Sequence, residues 1–281
     1  MTSVSLRGRS EGFSTSSSSI SVWGRVKRVV AYRRILKLLI SRDLKVRYAG
    51  SALGYLWTVL DPLLMSVVYW FIFTKVITNR DIGYDPYILY LVTGQLLWAW
   101  FQSSVPGCAR SLRTQSAMVR STNVPRELWV VRTILSNGVI YVLSLPVVAI
   151  FAIGYRKLPG FGIVYLPLAM IYCTTLLLGI GLCLAPLNVL IRDVDRIIPI
   201  MMRLLFYLSP IIYSVNNVPP ELETAYNFNP TVGMLVLARA TFFGDELVWA
   251  PVMGSGAVIL VILAIGIFTF TRLERQVLKE I

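Results

Sequence analysis

The sequence predicts an all-α integral membrane protein, and three observations carry that prediction. Hydrophobic residues make up 56% of the 281 and charged residues only 15%, against roughly 45–50% and about 25% in soluble domains. Long uncharged runs recur: Pro86–Ala109, Thr133–Tyr155, Leu158–Ile191, Leu204–Pro220 and Val248–Thr271, with Tyr48–Leu60 and Pro62–Thr74 on either side of Asp61. A spanning helix needs about 20 mostly apolar residues. The basic residues lie mainly between these runs, as topology signals do.

Residues 1–22 include the polar, low-complexity stretch "GFSTSSSSIS" and lack the apolar core of a signal peptide. They are expected to be a disordered cytoplasmic tail. Residues 23–47 are expected to form an amphipathic interface helix. Val22, Val26, Val29, Leu36 and Ile40 recur at spacings of three, four or seven, broken only by Arg33. Arg25, Lys27, Arg28, Arg34 and Lys37 fall largely elsewhere on the wheel. Such a helix lies in the headgroup layer or packs on another protein.

Residues 48–281 then form a six-span domain, with expected spans Asp61–Ile77, Pro86–Cys108, Leu128–Phe151, Ile163–Ala185, Ile197–Tyr213 and Val248–Thr271. Pro159, Gly160 and Gly162 make a turn before the fourth span, and Pro186 trims its end. Asp61-Pro62 reads either as a kink at headgroup depth or as an acid lining a polar path. Between the last two spans, "VPPELE" and Asn229-Pro230 read as turns. The apolar stretch Thr231–Ala238 is too short to cross, which points to helices dipping partway in under protein cover.

With the N-terminus inside, only Lys75, Arg80, Arg156, Lys157 and Arg239 of the 27 basic residues lie outside. Positive charge gathers on the cytoplasmic side, so both termini are expected there, in a multi-pass protein of the plasma membrane. The +13 net charge then marks orientation and anionic-lipid contact. It does not mark nucleic-acid binding, because it is spread over separate loops.

The chemistry available is narrow. Histidine is absent, which excludes His-based catalysis and His-ligated metal. Cys108, Cys173 and Cys183 lie in or beside apolar runs and read as buried small hydrophobes. Cys173 and Cys183 would stand about 15 Å apart on one helix, too far to bridge. No G-x-x-x-x-G-K-[ST] occurs, so ATP has no P-loop here. Intramembrane acids are too few for proton coupling of the usual kind. Energy for uphill movement must therefore enter through loops such as Cys108–Glu127, with its helical spacing and terminal "NVP", and Asn188–Ile197. Arg203, two turns inside the fifth span, either snorkels or holds an anionic headgroup. Tyr69, Trp70, Phe73, Phe206, Tyr207 and Tyr213 are belt or packing residues, or a lining on which sugar rings could slide.

The stretch "RDLKVRYAGSALGYLWTVLDPLL" at Arg42–Leu64 opens a series of motifs. "VPREL" at Val124–Leu128, "NVLIRDV" at Asn188–Val194, "LSPIIY" at Leu208–Tyr213 and "NP" at Asn229 follow it. In that order they resemble the ABC-2 type polysaccharide export permeases, the family of O-antigen (Wzm-type), capsule and teichoic-acid exporters. The resemblance covers Trp23 to the C-terminus, and overall likeness extends it to the actinobacterial exporters of lipid-linked galactan.

The resemblance implies an ABC-2 (type V) exporter fold. It implies a homodimer bound to two copies of a separate ATP-binding subunit, which holds ATP and Mg. This chain would carry no cofactor and no catalytic residue of its own. The cargo would be a polysaccharide on a polyprenyl pyrophosphate lipid. Arg42, Asp43, Arg47, Arg113, Arg120, Arg126, Glu127, Arg192 and Asp193 would couple to the ATPase. Arg47 and Arg203 would hold the headgroup. Trp57, Tyr69, Trp70, Phe73, Phe206, Tyr207 and Tyr213 would line the glycan channel. Family members often carry Asn or Gln where this chain has Asp61. Two other classes compete: an ABC-2 exporter of small hydrophobic compounds, and a membrane-embedded glycosyl or lipid transferase. The transferase would have to work from Asp193 and Asp195, a pair that a salt-bridged loop explains more simply.

Overall fold

A computed structural model describes residues 22–54, 56–76, 85–122, 124–244 and 247–280, and every regular element among them is helical. In order these are α1 (Val22–Ala31), α2 (Arg33–Tyr48), α3 (Leu56–Phe71, continued by a π-turn at Ile72–Val76), α4 (Tyr87–Thr114) and α5 (Ser116–Ser121). Then come α6 (Glu127–Gly154), α7 (Tyr165–Leu190, entered through a 3-10 turn at Gly160–Val164), α8 (Val194–Leu208), α9 (Pro220–Asn227), α10 (Val232–Ala240) and α11 (Trp249–Glu280).

Four helical stretches are long and apolar enough to cross a membrane: Leu56–Val76, Glu127–Gly154, Gly160–Leu190 and Trp249–Glu280. α4, at 28 residues, is about 42 Å long. It carries Gln95, Gln102, Arg110 and Arg113, and it is the centre of the bundle. Leu89, Leu91, Leu97, Trp98 and Phe101 are almost fully buried, and α3, α6, α7, α8 and α10 all pack against it. A helix enclosed by other helices needs no apolar face for lipid, so Thr93, Gln95, Ser104 and Ser111 are buried in it as well. α8 has 15 residues and reaches about 22 Å.

α7 and α11 share the most extensive helix contact. A Cβ on Gly266 would collide with the backbone carbonyl of Gly179, so the two glycines let the backbones touch as small residues do between membrane helices.

Several elements differ from the sequence expectation. The amphipathic segment forms two helices. The Tyr32 N–H is shared between the carbonyls of Arg28 and Val29, 3.2 Å from each, which tightens the turn and separates α1 from α2. Asp61 and Pro62 lie inside α3, not at its start. The helix continues through the proline, and the Ser66 hydroxyl donates to the Pro62 carbonyl at 2.7 Å.

The fifth apolar segment stops at Leu208, not Tyr213. The residue before Pro210 is pushed out of the helical region, and Ser209 bends back to donate to Leu205 at 2.6 Å. "VPPELE" is largely a helix start rather than a turn. Pro220 occupies the first turn of α9, with Glu221 and Glu223 beside it, where a fixed φ and negative charge both favour initiation. α10 is buried at every residue but Val236, packed against α4, α7 and α11. The expected tail lies outside the described residues except for Val22.

Candidate functional site

At the end of the bundle where most arginines gather, α2 is fastened to α6. The Asp43 carboxylate accepts two hydrogen bonds from Arg132, one of them from Nε at 2.5 Å. One turn on, Arg47 donates to the Asn137 side-chain carbonyl at 2.9 Å. Asn137 in turn donates to Ser104 on α4 at 3.1 Å. Asp43 and Arg47 share a helix face at i, i+4, so one face of α2 reads one face of α6. Among the described residues Arg42 reaches only the Asp43 carboxylate, at 3.9 Å.

Two further clusters tie the same end together. Arg110 and Arg113 of α4 clamp Asp195 at the start of α8, at 2.8 and 3.1 Å. Asn188 joins them, donating to Asp195 at 3.3 Å and to the Ala109 carbonyl at 3.1 Å. Arg25 of α1 pairs with Glu127 of α6 and, at 3.4 Å, with Glu274 of α11. Arg126 also holds Glu274, at 2.7 Å. Arg120 on α5, Arg192 and Asp193 are exposed. The Asp193 backbone carbonyl accepts the first hydrogen bonds of α8, from Arg196 and Ile197.

Three neighbouring cavities lie among α2, α3, α4, α6 and α8. The outer chamber, about 720 Å³, lies between α2, α4 and α6 and is lined by Arg42, Asp43, Arg47, Arg110 and Arg132. The middle chamber, about 470 Å³, shares Arg47 with it and adds Trp57, Asp61, Trp100 and Tyr141. The inner chamber, about 600 Å³, shares Asp61, Pro62 and Ala99 with the middle one and is closed by Arg203, Phe206 and Tyr207 of α8. Arg47 therefore lies on the linings of both the outer and middle chambers, and Asp61 on those of both the middle and inner ones.

Aromatic rings furnish the two deeper chambers. Trp100 stacks on Tyr141 with centroids 5.3 Å apart and donates from its indole to the Ile134 carbonyl at 3.1 Å. Phe206 contacts both Tyr69 and Trp98, at 6.2 and 5.8 Å. Trp57 and Tyr207 are more than half exposed. Asp61 and Arg203 face the inner chamber, and neither makes a hydrogen bond or ion pair with a described residue.

Of the aromatic residues singled out from sequence, Trp57, Tyr69, Phe206 and Tyr207 line these chambers. Trp70, Phe73 and Tyr213 do not. Trp70 packs against the core, and Phe73 sits edge-on to Tyr87 at 6.2 Å. Tyr213 shares a hydrogen bond with Tyr226 at 2.6 Å and donates to the Tyr207 carbonyl at 3.0 Å.

Sequence reasoning missed two arginines. Arg132, counted from sequence only among the cytoplasmic basic residues, is 8% exposed within α6. Its partner lies 89 residues away, so no local pattern announces the pair. Arg239 is buried and donates to Tyr90 Oη and the Pro210 carbonyl, each at 2.5 Å, and to the Ile211 carbonyl at 2.7 Å. Its guanidinium lies 3.5 Å over the Tyr90 ring. It organises the turn within "LSPIIY". A lone cation in the apolar stretch 231–243 was the available signal, since such residues are retained for a partner or a function.

Comparison with known proteins adds to this geometry. Residues 34–243 match the ABC-2 type transporter family. The O-antigen export system permease protein RfbA of Myxococcus xanthus is 31% identical, over 89% of this chain and 96% of its own length. RfbA of Klebsiella pneumoniae is 29% identical over 83% and 90%. The capsule polysaccharide export inner-membrane protein CtrC of Neisseria meningitidis serogroup B is 22% identical over 77% and 82%.

Proposed function

Because the chain belongs to the ABC-2 type transporter family, we propose that it is the membrane subunit of a polysaccharide exporter. Its cargo is a glycan carried on a polyprenyl pyrophosphate lipid, of the galactan type. The observation that carries this reading is the set of three neighbouring chambers, the outer one strongly basic and the other two lined by aromatic rings. Relatives named for O-antigen and capsule export support the same cargo class.

On this reading α4 and α8 complete six spans in a multi-pass protein of the plasma membrane. Residues 23–47 form the interface element, and both termini face the cytoplasm. α9 and α10 form the re-entrant hairpin at the far side. Two copies pair and bind two copies of an ATPase subunit, which carries ATP and Mg.

Binding and coupling then divide along the molecule. Arg47, at the joint of the outer and middle chambers, and Arg203, in the inner one, take the pyrophosphate in turn. Guanidinium forks suit phosphate oxygens. Trp57, Tyr69, Phe206 and Tyr207 offer flat apolar faces to the sugars. Movement of the ATPase enters through Arg42–Arg47, Arg113–Glu127 and Arg192–Asp193. It reaches α6 through Asp43–Arg132 and α4 through the Asp195 clamp. Packed helices joined by such pairs move as units.

Purification of the tagged chain from native membranes in mild detergent tests this. An ATPase subunit recovered at one copy per permease, with ATP-dependent movement of a lipid-linked glycan in vesicles, is the expected result. An intact complex with no ATPase would overturn the reading, because the chain has no energy source of its own.

A further inference from the structure

Asp61 occupies the wall shared by the middle and inner chambers, and among the described residues no donor or cation meets its carboxylate. An acid at this depth of an apolar helix is retained where it meets water, a cation or a ligand. Trp57 lies one turn earlier on the same face of α3 and lines the middle chamber beside it. A half-exposed indole next to a free carboxylate is complementary to a sugar ring. The C–H face of the ring stacks on the indole, and adjacent hydroxyls donate to the two carboxylate oxygens.

The charge of the lining changes at the same place. The outer chamber sets Arg42, Arg47, Arg110 and Arg132 against Asp43 alone. The middle chamber sets Arg47 against Asp61, and the inner one Arg203 against Asp61. The lining is therefore strongly positive in the outer chamber, while in the two deeper ones Asp61 stands against Arg47 and Arg203. Asp61 is the acid that both deeper linings share, and it offsets the positive charge in each. Without it each would be net positive and would concentrate polyanions.

We infer that Asp61 is a specificity-determining residue, which favours neutral, hydroxyl-rich glycans in the deeper chambers and removes their attraction for polyanionic ones. The inference rests on the polysaccharide-export reading and adds the class of sugar to it.

The test uses the full chain in phosphatidylcholine nanodiscs. Trp23, Trp70, Trp129 and Trp249 are replaced by Phe, which leaves Trp57, Trp98 and Trp100, the indoles of the two deeper chambers, to report binding by fluorescence. Two probes of equal length are titrated, a neutral glucose oligosaccharide and an oligogalacturonate. The neutral probe is expected to bind the more tightly. Asp61→Asn should weaken it and tighten the oligogalacturonate by about fivefold, the upper range for a solvated charge pair. Asp61→Glu should keep the parental order of preference, which separates charge from fold. If the neutral probe binds and Asp61→Asn alters neither affinity, the role of Asp61 is overturned while the export reading stands. If neither probe binds the parental chain, the sugar site itself is overturned, and the inference with it.

Discussion

Asp43 and Arg132 are 89 residues apart in sequence and meet in a two-pronged ion pair that fastens the end of α2 to α6. Arg132 is the more buried partner, with 10% of its side chain exposed against 24% for Asp43. Removing the acid strands a guanidinium inside the bundle, and breaking such a pair from one side costs about 3 kcal/mol or more when fully buried. Asp43→Asn should therefore lower the unfolding temperature measured by scanning fluorimetry in detergent. Arg132→Met on the Asp43→Asn background should recover much of that loss, because it removes the unpaired charge. Equal losses from the single and double variants would show that the pair is not what holds α2.

Arg239 and Gly94 form a second unit. A Cβ on Gly94 would lie 2.5 Å from Arg239 Nη2, so only glycine lets the guanidinium lie flat against α4 while it holds the Pro210 and Ile211 carbonyls. Gly94→Ala should push it away and loosen the turn after α8. Amide hydrogen exchange at Ile211–Tyr213 should quicken about tenfold, equivalent to about 1.4 kcal/mol of local stability. Exchange unchanged in that segment would mean that the turn is held by its other contacts, such as the 2.7 Å Ser209–Thr231 hydroxyl pair.

The sequence made some of this legible and not the rest, for physical reasons. Long apolar runs announce α6, α7 and α11 because lipid-facing helices must be apolar. Uncharged runs also announce α4 and α8, but not that α4 extends past Cys108 to Thr114 or that α8 stops at Leu208, which depend on the protein around α4 and on Pro210. Arg47, Asp61 and Arg203 were recognisable because charge beside or inside an apolar run is costly and needs a reason. That Arg47 and Asp61 each stand at a joint between chambers depends on how α2, α3, α4 and α6 pack. The same holds for Trp70 and Phe73, which pack against the core beside Tyr69 yet line none of the chambers, since spacing gives a face and not what covers it.

The α7–α11 crossing yields a sharper prediction. Gly266 meets the Gly179 backbone directly, so a side chain there must separate two helices along their main contact. Gly266→Val should cost more than about 2 kcal/mol, the scale of overpacking with backbone displacement. Folded protein recovered by size-exclusion chromatography should fall sharply. Gly244→Ala, with open space around its Cβ, should be recovered at the parental level. Normal recovery of Gly266→Val would mean that the helices can part without loss.

Arg120 offers the opposite case. It is exposed on the short helix α5, and among the described residues it has no ion pair. Its removal should shift stability by less than about 0.5 kcal/mol, as at other exposed positions. If α5 is the contact through which an ATPase moves this subunit, Arg120→Ala should reduce the ATPase recovered with it while the melting temperature stays put. Arg113→Ala provides the contrast. Arg113 holds Asp195 at 3.1 Å but is about half exposed, so it too should cost well under 1 kcal/mol. Its loss loosens the start of α8 without touching α5, so ATPase recovery should persist while ATP-driven transport falls. Undiminished ATPase recovery with Arg120→Ala would move the docking surface away from α5, toward Arg192 and Asp193.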